Sequence, residues 1–95
     1  MMAPFYEILY SLSNWLVKKG IKKENAQKYI SSLFLALSED AFNHKKNLKR
    51  LVRESQTPGG LNEQAVNDLR KAGFYRLLEK TSNRIIKRLN KSQSN

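Results

Sequence analysis

Thr57-Pro58-Gly59-Gly60 is the strongest interruption in a chain that otherwise favours helices. Proline fixes φ and glycine permits positive φ, so this order of residues predicts a tight turn between two helices. A functional interpretation is also open. Two glycines let a ligand approach the backbone closely, and free N–H groups at the start of the next helix would hold an anion such as a carboxylate.

On either side of this turn, apolar residues recur at the three- and four-residue spacing of amphipathic helices. The predicted helices run from Pro4 to a stop at Gly20, from about Lys23 to about Phe42, from about Leu48 to about Ser55, from Leu61 or Asn62 to Gly73, and from about Phe74 to about Asn90. No segment alternates in the manner of a strand. The sequence therefore predicts an all-α domain of five helices over residues 1–91, followed by a disordered polar tail over residues 92–95.

The first two predicted helices have more apolar surface than one packing partner can cover. The first helix is apolar on two faces, and the run Leu33-Phe34-Leu35-Ala36-Leu37 makes the second apolar all round. Because a chain of 95 residues buries only a thin core, we predict a homodimer in which these helices interlock with a second copy. The residues predicted to form the core and the dimer interface are Trp15, Leu16, Leu33, Leu37, Ile85 and Leu89.

The charge of the chain is strongly unbalanced. It carries 18 Lys and Arg against 8 Asp and Glu, which gives a net charge of +10. Such an excess favours nucleic acid or anionic membranes as partners, and the alternatives are a solvated surface or compensation by the rest of a longer protein. The aromatic residues lie on or beside the apolar stripes, which is typical of a core and not of a base-stacking surface. A stand-alone basic helical module that binds nucleic acid is therefore the alternative function.

The sequence has no recognisable set of catalytic or metal-binding residues. His44 is the only histidine and there is no cysteine, so no metal site is predicted. Glu39 and Asp40 are adjacent and point to different sides of a helix, which argues against a shared-proton pair. No glycine-rich dinucleotide-binding motif is present. The lack of a long apolar run and of a signal peptide predicts a soluble, cytoplasmic protein.

The order of these features resembles the C-terminal domain of the pyrroline-5-carboxylate reductase family. That family has Ser-Pro-Gly-Gly where this chain has Thr57-Pro58-Gly59-Gly60, then a Gly-Gly-Phe turn that Ala72-Gly73-Phe74 resembles, and then a long closing helix. Pro4 and Tyr6 match the Pro-x-Tyr opening of the family's long helix, and Gly20 matches its glycine stop. Further matches at the same spacing are Leu12, Val17, Lys18, Ala26 and Leu69. The resemblance covers nearly the whole chain.

The resemblance implies an architecture and a chemistry. Members of the family have an N-terminal nucleotide-binding domain, which this chain lacks, and C-terminal helical domains that interlock in a dimer. NAD(P)H delivers hydride to the imine carbon of the substrate, and proline is formed. The substrate-binding residues implied by the resemblance are Thr57, Gly59, Gly60, Leu61 and Asn62, which would hold a carboxylate through backbone N–H groups and the Asn62 side chain.

The sequence departs from the family beside this turn. Asn62 stands where the family has a threonine that contacts the substrate, and the bulky Leu61 replaces the preceding small residue. We therefore predict the dimerisation and partial substrate-binding domain of a pyrroline-5-carboxylate reductase-like oxidoreductase, an enzyme type of proline biosynthesis. This chain alone would be neither catalytic nor able to bind the cofactor, because NAD(P)H would belong to the full-length parent protein.

Overall fold

The structure of the protein is a computed structural model that describes residues 2–43 and 47–93. This part of the chain is mostly helical and contains no strand. The helices are α1 (Met2–Lys18), α2 (Lys23–Asn43), α3 (Leu48–Glu54), α4 (Leu61–Lys71) and α5 (Phe74–Gln93). The prediction of an all-α chain with five helices is confirmed. His44, which we predicted to lie exposed in a polar loop, falls outside the described residues.

A glycine sets the end of α1. Gly20 has a φ of +100°, the left-handed conformation in which many helices end. The Gly20 N–H donates to the Val17 carbonyl at 3.0 Å, and the Ile21 N–H donates to the Leu16 carbonyl at 3.1 Å. These two bonds form a Schellman motif, which satisfies carbonyls that the helix end would otherwise leave unpaired. The predicted stop at Gly20 is confirmed.

Two helix ends differ from the prediction. α1 begins at Met2, so Pro4 lies inside the first turn, where a missing N–H costs no intrahelical bond. α5 continues through Gln93, past the predicted end at Asn90 and into the segment predicted to be disordered. No glycine or proline interrupts the chain there, and Lys91 in the last turn suits the negative end of the helix dipole. The last two residues of the sequence lie outside the described part.

The chain divides into two compact units, residues 1–48 and residues 49–95. In the first unit, α1 and α2 pack together as a helical hairpin. Ser13 of α1 and Ala26 and Ile30 of α2 are its buried residues. Because Ser13 and Ala26 are small, the helix axes can come close at this level, and little apolar volume is enclosed between them.

The second unit contains α3, α4 and α5, and α4 packs against α5. Gly73, with a φ of +81°, permits the change of direction between these two helices. No residue in the described part of this unit is fully buried. Leu51, Val66, Phe74 and Thr81 are half-buried. The unit therefore keeps an apolar side that has no partner within it.

The residues predicted for the core and the dimer interface are not buried in the protomer. Leu16 is half-buried, and the other five are between 38% and 57% exposed. The buried apolar residues are instead Ala26 and Ile30. A pair of helices encloses only the strip along which they touch, so the remaining apolar surface needs a partner outside the unit. Burial of the predicted residues in a dimer stays a prediction.

Ile30→Ala tests whether this narrow strip stabilises the hairpin. We expect the free energy of unfolding to fall by about 2–4 kcal/mol, because the substitution leaves a cavity beneath two closely packed helices. Urea denaturation followed by circular dichroism measures the change. The control is Lys28→Ala on an exposed position of the same helix, for which we expect a change within about 0.5 kcal/mol. Equal losses for the two variants would contradict the assignment of Ile30 to the core.

Candidate functional site

Thr57-Pro58-Gly59-Gly60 forms a hydrogen-bonded β-turn between α3 and α4. The Gly60 N–H donates to the Thr57 carbonyl at 2.8 Å and closes the turn. Pro58 occupies the second position of the turn, and Gly59 occupies the third with a φ of +76°. This combination defines a type II turn. The turn predicted from the sequence is confirmed.

The two glycines of the turn are required for different reasons. A Cβ on Gly59 would meet no atom within 4 Å, but its positive φ strains any residue that has a side chain. Gly60 has an ordinary φ of −87°, but a Cβ there would lie 3.0 Å from the Thr57 carbonyl oxygen. That oxygen belongs to the backbone and cannot move without opening the turn. Gly59 is therefore needed for its conformation and Gly60 for the space it leaves.

α4 begins directly after the turn with unpaired N–H groups. Gly60 is its N-cap, and no side chain caps the helix. The first N–H that bonds within the helix is that of Gln64, which donates to the Gly60 carbonyl at 3.1 Å. The N–H groups of Leu61, Asn62 and Glu63 therefore have no intrahelical acceptor. The helix dipole adds partial positive charge at the same place.

Glu63 places a carboxylate of the protein itself at this end of α4. Its Oε1 atom accepts a hydrogen bond from the Gly59 N–H at 3.1 Å. Glu63 is the third residue of α4, so the contact resembles a capping box, in which an acidic side chain bonds back to an N–H that precedes the helix. Its charge also suits the positive end of the dipole. The affinity of the turn for anions is thus partly satisfied within the chain.

Asn62 connects the turn to the end of α3. Its Nδ2 atom donates to the Ser55 carbonyl at 3.0 Å. The Ser55 hydroxyl donates in turn to the Leu51 carbonyl at 2.6 Å, beside the last turn of α3. One of the two N–H groups of the Asn62 amide is therefore used inside the protein, and the other is left for a ligand.

The structure brings the predicted substrate-binding residues together on the turn and the first helical turn after it. They are Thr57, Gly59, Gly60, Leu61 and Asn62. Gly60 is half-buried and the others are exposed, with the Leu61 side chain 84% exposed. Their role in binding a substrate stays a prediction.

Two contacts at this site were not predicted from the sequence. The bond from Gly59 to Glu63 could have been inferred, since an acidic residue at the third helical position is the sequence sign of a capping box. The bond from Asn62 to Ser55 spans seven residues across an irregular segment. No periodic pattern indicates such a contact, because it depends on the path of the loop.

A second concave region lies in the first unit, along α1 and α2. Two adjoining cavities of about 190 and 210 Å³ share Tyr10, Ser13 and Gln27 in their walls. Their other lining residues are Tyr6, Leu9, Asn14, Val17, Lys23 and Ser31. The walls mix hydroxyl, amide and apolar groups, whereas the sequence predicted an apolar second face for the first helix. Ser13 and Asn14, one helical turn from Tyr10, are the residues that signal this groove.

Groups of acidic or histidine side chains do not gather elsewhere in the described chain. Within residues 2–43 and 47–93, no set of three or more such groups is arranged to hold a metal ion. Glu39 and Asp40 are exposed on α2. Among the described helices, none combines the length and the apolar character that crossing a membrane requires.

Two helical units with little buried surface and several exposed apolar sides have the features of an assembly domain. The sequence matches the pyrroline-5-carboxylate reductase dimerisation family over residues 1–92. The chain belongs to this family, and its role is dimerisation. The resemblance inferred from the turn, Pro4 and Gly20 is confirmed. Searches of curated proteins and of solved structures gave no significant match.

Gly59→Ala tests the conformation of the turn. We expect the free energy of unfolding to fall by about 1–2 kcal/mol, because the left-handed conformation brings a Cβ close to the following carbonyl oxygen. Gly59→Asn should cost less, since asparagine tolerates this conformation better than alanine. Thermal denaturation of the three proteins under the same conditions measures the difference. An unchanged melting temperature for Gly59→Ala would contradict the positive φ of this residue.

Proposed function

We propose that this chain is the dimerisation and partial substrate-binding domain of an NAD(P)H-dependent imine reductase of the pyrroline-5-carboxylate reductase type. The observation that carries the proposal is the Pro-Gly-Gly turn at the uncapped start of α4, in a chain that matches this family over residues 1–92. The proposed function has two parts, a homodimer and a binding site for a substrate carboxylate.

The apolar surface of the first unit supports the homodimer. Only the strip around Ala26 and Ile30 is covered within the hairpin. The large apolar side chains left exposed on the two helices and their connection are Met2, Phe5, Tyr6, Tyr10, Leu12, Trp15, Val17, Ile21, Tyr29, Leu33, Leu35, Leu37 and Phe42. Monomeric proteins rarely expose large contiguous apolar patches. Complete burial of one such side chain contributes about 1.5–3 kcal/mol, so covering part of this set offsets the entropic cost of association.

The closing helix supports the same assembly. Ile85 and Leu89 lie one turn apart on α5 and are 38% and 56% exposed, although α4 packs against this helix. Leu78, on the same side of α5, is 41% exposed. A second copy that covers this side would bury three further apolar side chains. Interlocking of the two copies is the arrangement that the family resemblance implies.

The start of α4 supports a site for a small carboxylate. The N–H groups of Leu61, Asn62 and Glu63 have no intrahelical acceptor, and the helix dipole favours negative charge there. No side chain of Gly59 or Gly60 covers the backbone. A substrate carboxylate would accept hydrogen bonds from the free N–H groups. The Glu63 carboxylate opposes this binding, because it already accepts a bond from the Gly59 N–H and repels a second anion.

The family's reaction transfers hydride from NAD(P)H to the carbon of a cyclic imine, and the product is proline. The proposed task of this chain is to bind and orient the substrate through its carboxylate. Asn62 would contribute its second amide N–H, while its bond to Ser55 fixes the position of that amide. Because the side chain replaces the family's threonine with a longer group, the preferred substrate would be a small imino acid that reaches the turn through its carboxylate.

The residues of this chain do not fit a nicotinamide dinucleotide. Binding in the manner of this family requires a strand, a glycine-rich turn and a helix in succession. The described part of the chain has no strand, and its glycine turn lies between two helices. NAD(P)H would therefore be held by another domain of the parent protein. The absence of cysteine from the sequence is compatible with the reducing cytoplasm, where we place this enzyme.

Ile85→Lys tests the homodimer. We expect the unaltered chain to sediment as a dimer at micromolar concentration, and the variant to dimerise at least about 100-fold more weakly, because a charge would be buried without a partner. Asn83→Lys places the same charge on the polar side of α5 and should leave the dimer intact. Trp15, the only tryptophan, is 54% exposed in the protomer, so its emission should shift to longer wavelength on dilution. A folded monomer of the unaltered chain at micromolar concentration would contradict the proposal.

Titration with L-proline tests the carboxylate site, with pyrrolidine as the matched compound that lacks a carboxylate. Proline should shift the amide NMR signals of Gly60, Leu61 and Asn62, and pyrrolidine should not. Glu63→Gln should tighten proline binding by about two- to fivefold, because it removes a competing negative charge at the helix N-terminus. Identical responses to the two compounds, or weaker binding by Glu63→Gln, would count against the site.

A further inference from the structure

The closing helix carries a row of cations that neither the dimer nor the turn uses. α5 has six Lys and Arg and one acidic residue, Glu79. At about 100° per residue, five of these basic residues fall within an arc of about 120°. They form the basic row: Arg76, Lys80, Arg84, Lys87 and Arg88. Their accumulation on one side of one helix indicates a local function for the positive charge.

The basic row is exposed, and its charge is not neutralised within the described chain. All five side chains are exposed. None of them has a carboxylate partner among the residues that the structure describes. Glu79 lies about 60° beyond the edge of the arc. The surrounding unit adds to the positive potential, because residues 49–95 carry 11 Lys and Arg against 4 Asp and Glu, or +7 of the total of +10.

The basic row faces away from the apolar side of α5. Phe74, Leu78 and Ile85 lie on the helix at about 140–200° from Arg76, outside the arc of the row. A second copy that covers the apolar side therefore leaves the basic row open. The row is accessible in a single protomer and stays accessible on α5 in the proposed dimer.

We propose that the basic row binds the phosphate backbone of a nucleic-acid duplex. The row spans about 18 Å along the helix, at 1.5 Å per residue. A duplex carries one negative charge per roughly 1.7 Å, so it can offer a phosphate to each of the five cations. A small anion would reach only one or two of them. Because the contacts are to phosphates, binding is independent of base sequence.

An anionic membrane is the competing partner for a basic amphipathic helix. Such a helix lies in the membrane interface with its apolar side inserted among the acyl chains. In α5 that side contacts α4, and the proposed dimer covers what remains. Leu77 is the one exposed apolar residue that falls within the basic arc. The observations therefore favour a duplex over a lipid surface.

Fluorescence anisotropy of the full chain with a labelled duplex of two helical turns tests the proposal. We expect a micromolar or tighter Kd at about 0.1 M salt, and a slope of log affinity against log salt of about −4 to −5 for five phosphate contacts. The triple variant Lys80→Gln, Arg84→Gln, Arg88→Gln should reduce the slope by about 3 and weaken binding by more than about 100-fold at that salt concentration.

The matched control removes the same charge from another place. Lys18→Gln, Lys19→Gln, Lys22→Gln neutralises three exposed lysines at the junction of α1 and α2. This control should keep the slope and lose less than about fivefold in affinity, because distant charges are screened at about 0.1 M salt. Glutamine has a helix propensity close to that of lysine and arginine, and thermal denaturation checks that both triple variants are folded.

Three results would overturn the proposal. Equal losses in the two triple variants would show that net charge, and not the basic row, binds the duplex. Failure of the unaltered chain to bind the duplex at about 0.1 M salt would exclude the function. Binding to phosphatidylserine-containing vesicles without binding to the duplex would assign the row to a membrane. Sedimentation of the same samples reports on the dimer independently, so failure of either proposal can be recognised separately.

Discussion

Two packed helices can enclose only the strip along which they touch, and this limit governs the first unit of the protein. The strip between α1 and α2 holds Ser13, Ala26 and Ile30. Two of these side chains are small, so the helices approach closely without enclosing a broad core. Most other apolar side chains of the hairpin depend on contacts outside the unit. Assembly, the role of this family, therefore supplies burial that the hairpin cannot supply alone.

The turn before α4 combines a structural and a binding role in the same atoms. Gly59 and Gly60 are needed by the type II turn whether or not a ligand is present, so their presence alone does not indicate a site. The evidence for binding comes from the uncapped N–H groups that follow them. Glu63 changes the energetics of that site, because an incoming carboxylate meets an anion that is already hydrogen-bonded there. Ligand binding becomes an exchange of one carboxylate for another.

The helices could be predicted from the sequence because their signals are local. Apolar spacing marks the helical segments, and Gly20 and Gly73 mark two of the ends. The same spacing shows which side of a helix is apolar but not what covers it, so Leu33 was assigned correctly to the stripe of Ile30 although the protomer leaves it exposed. The family and the turn were also predictable. The anchoring of Asn62 was not, since it depends on the course of a loop.

The separation of charged and apolar sides on α5 links assembly to polyanion binding. In a two-fold dimer the basic row is present twice, and a strand long enough to reach both rows binds them at a high effective concentration. A short strand gains nothing from the second row. Since the bivalent complex requires the dimer, a long polyanion would also strengthen dimerisation by mass action. The two equilibria are then coupled through a helix that takes part in both.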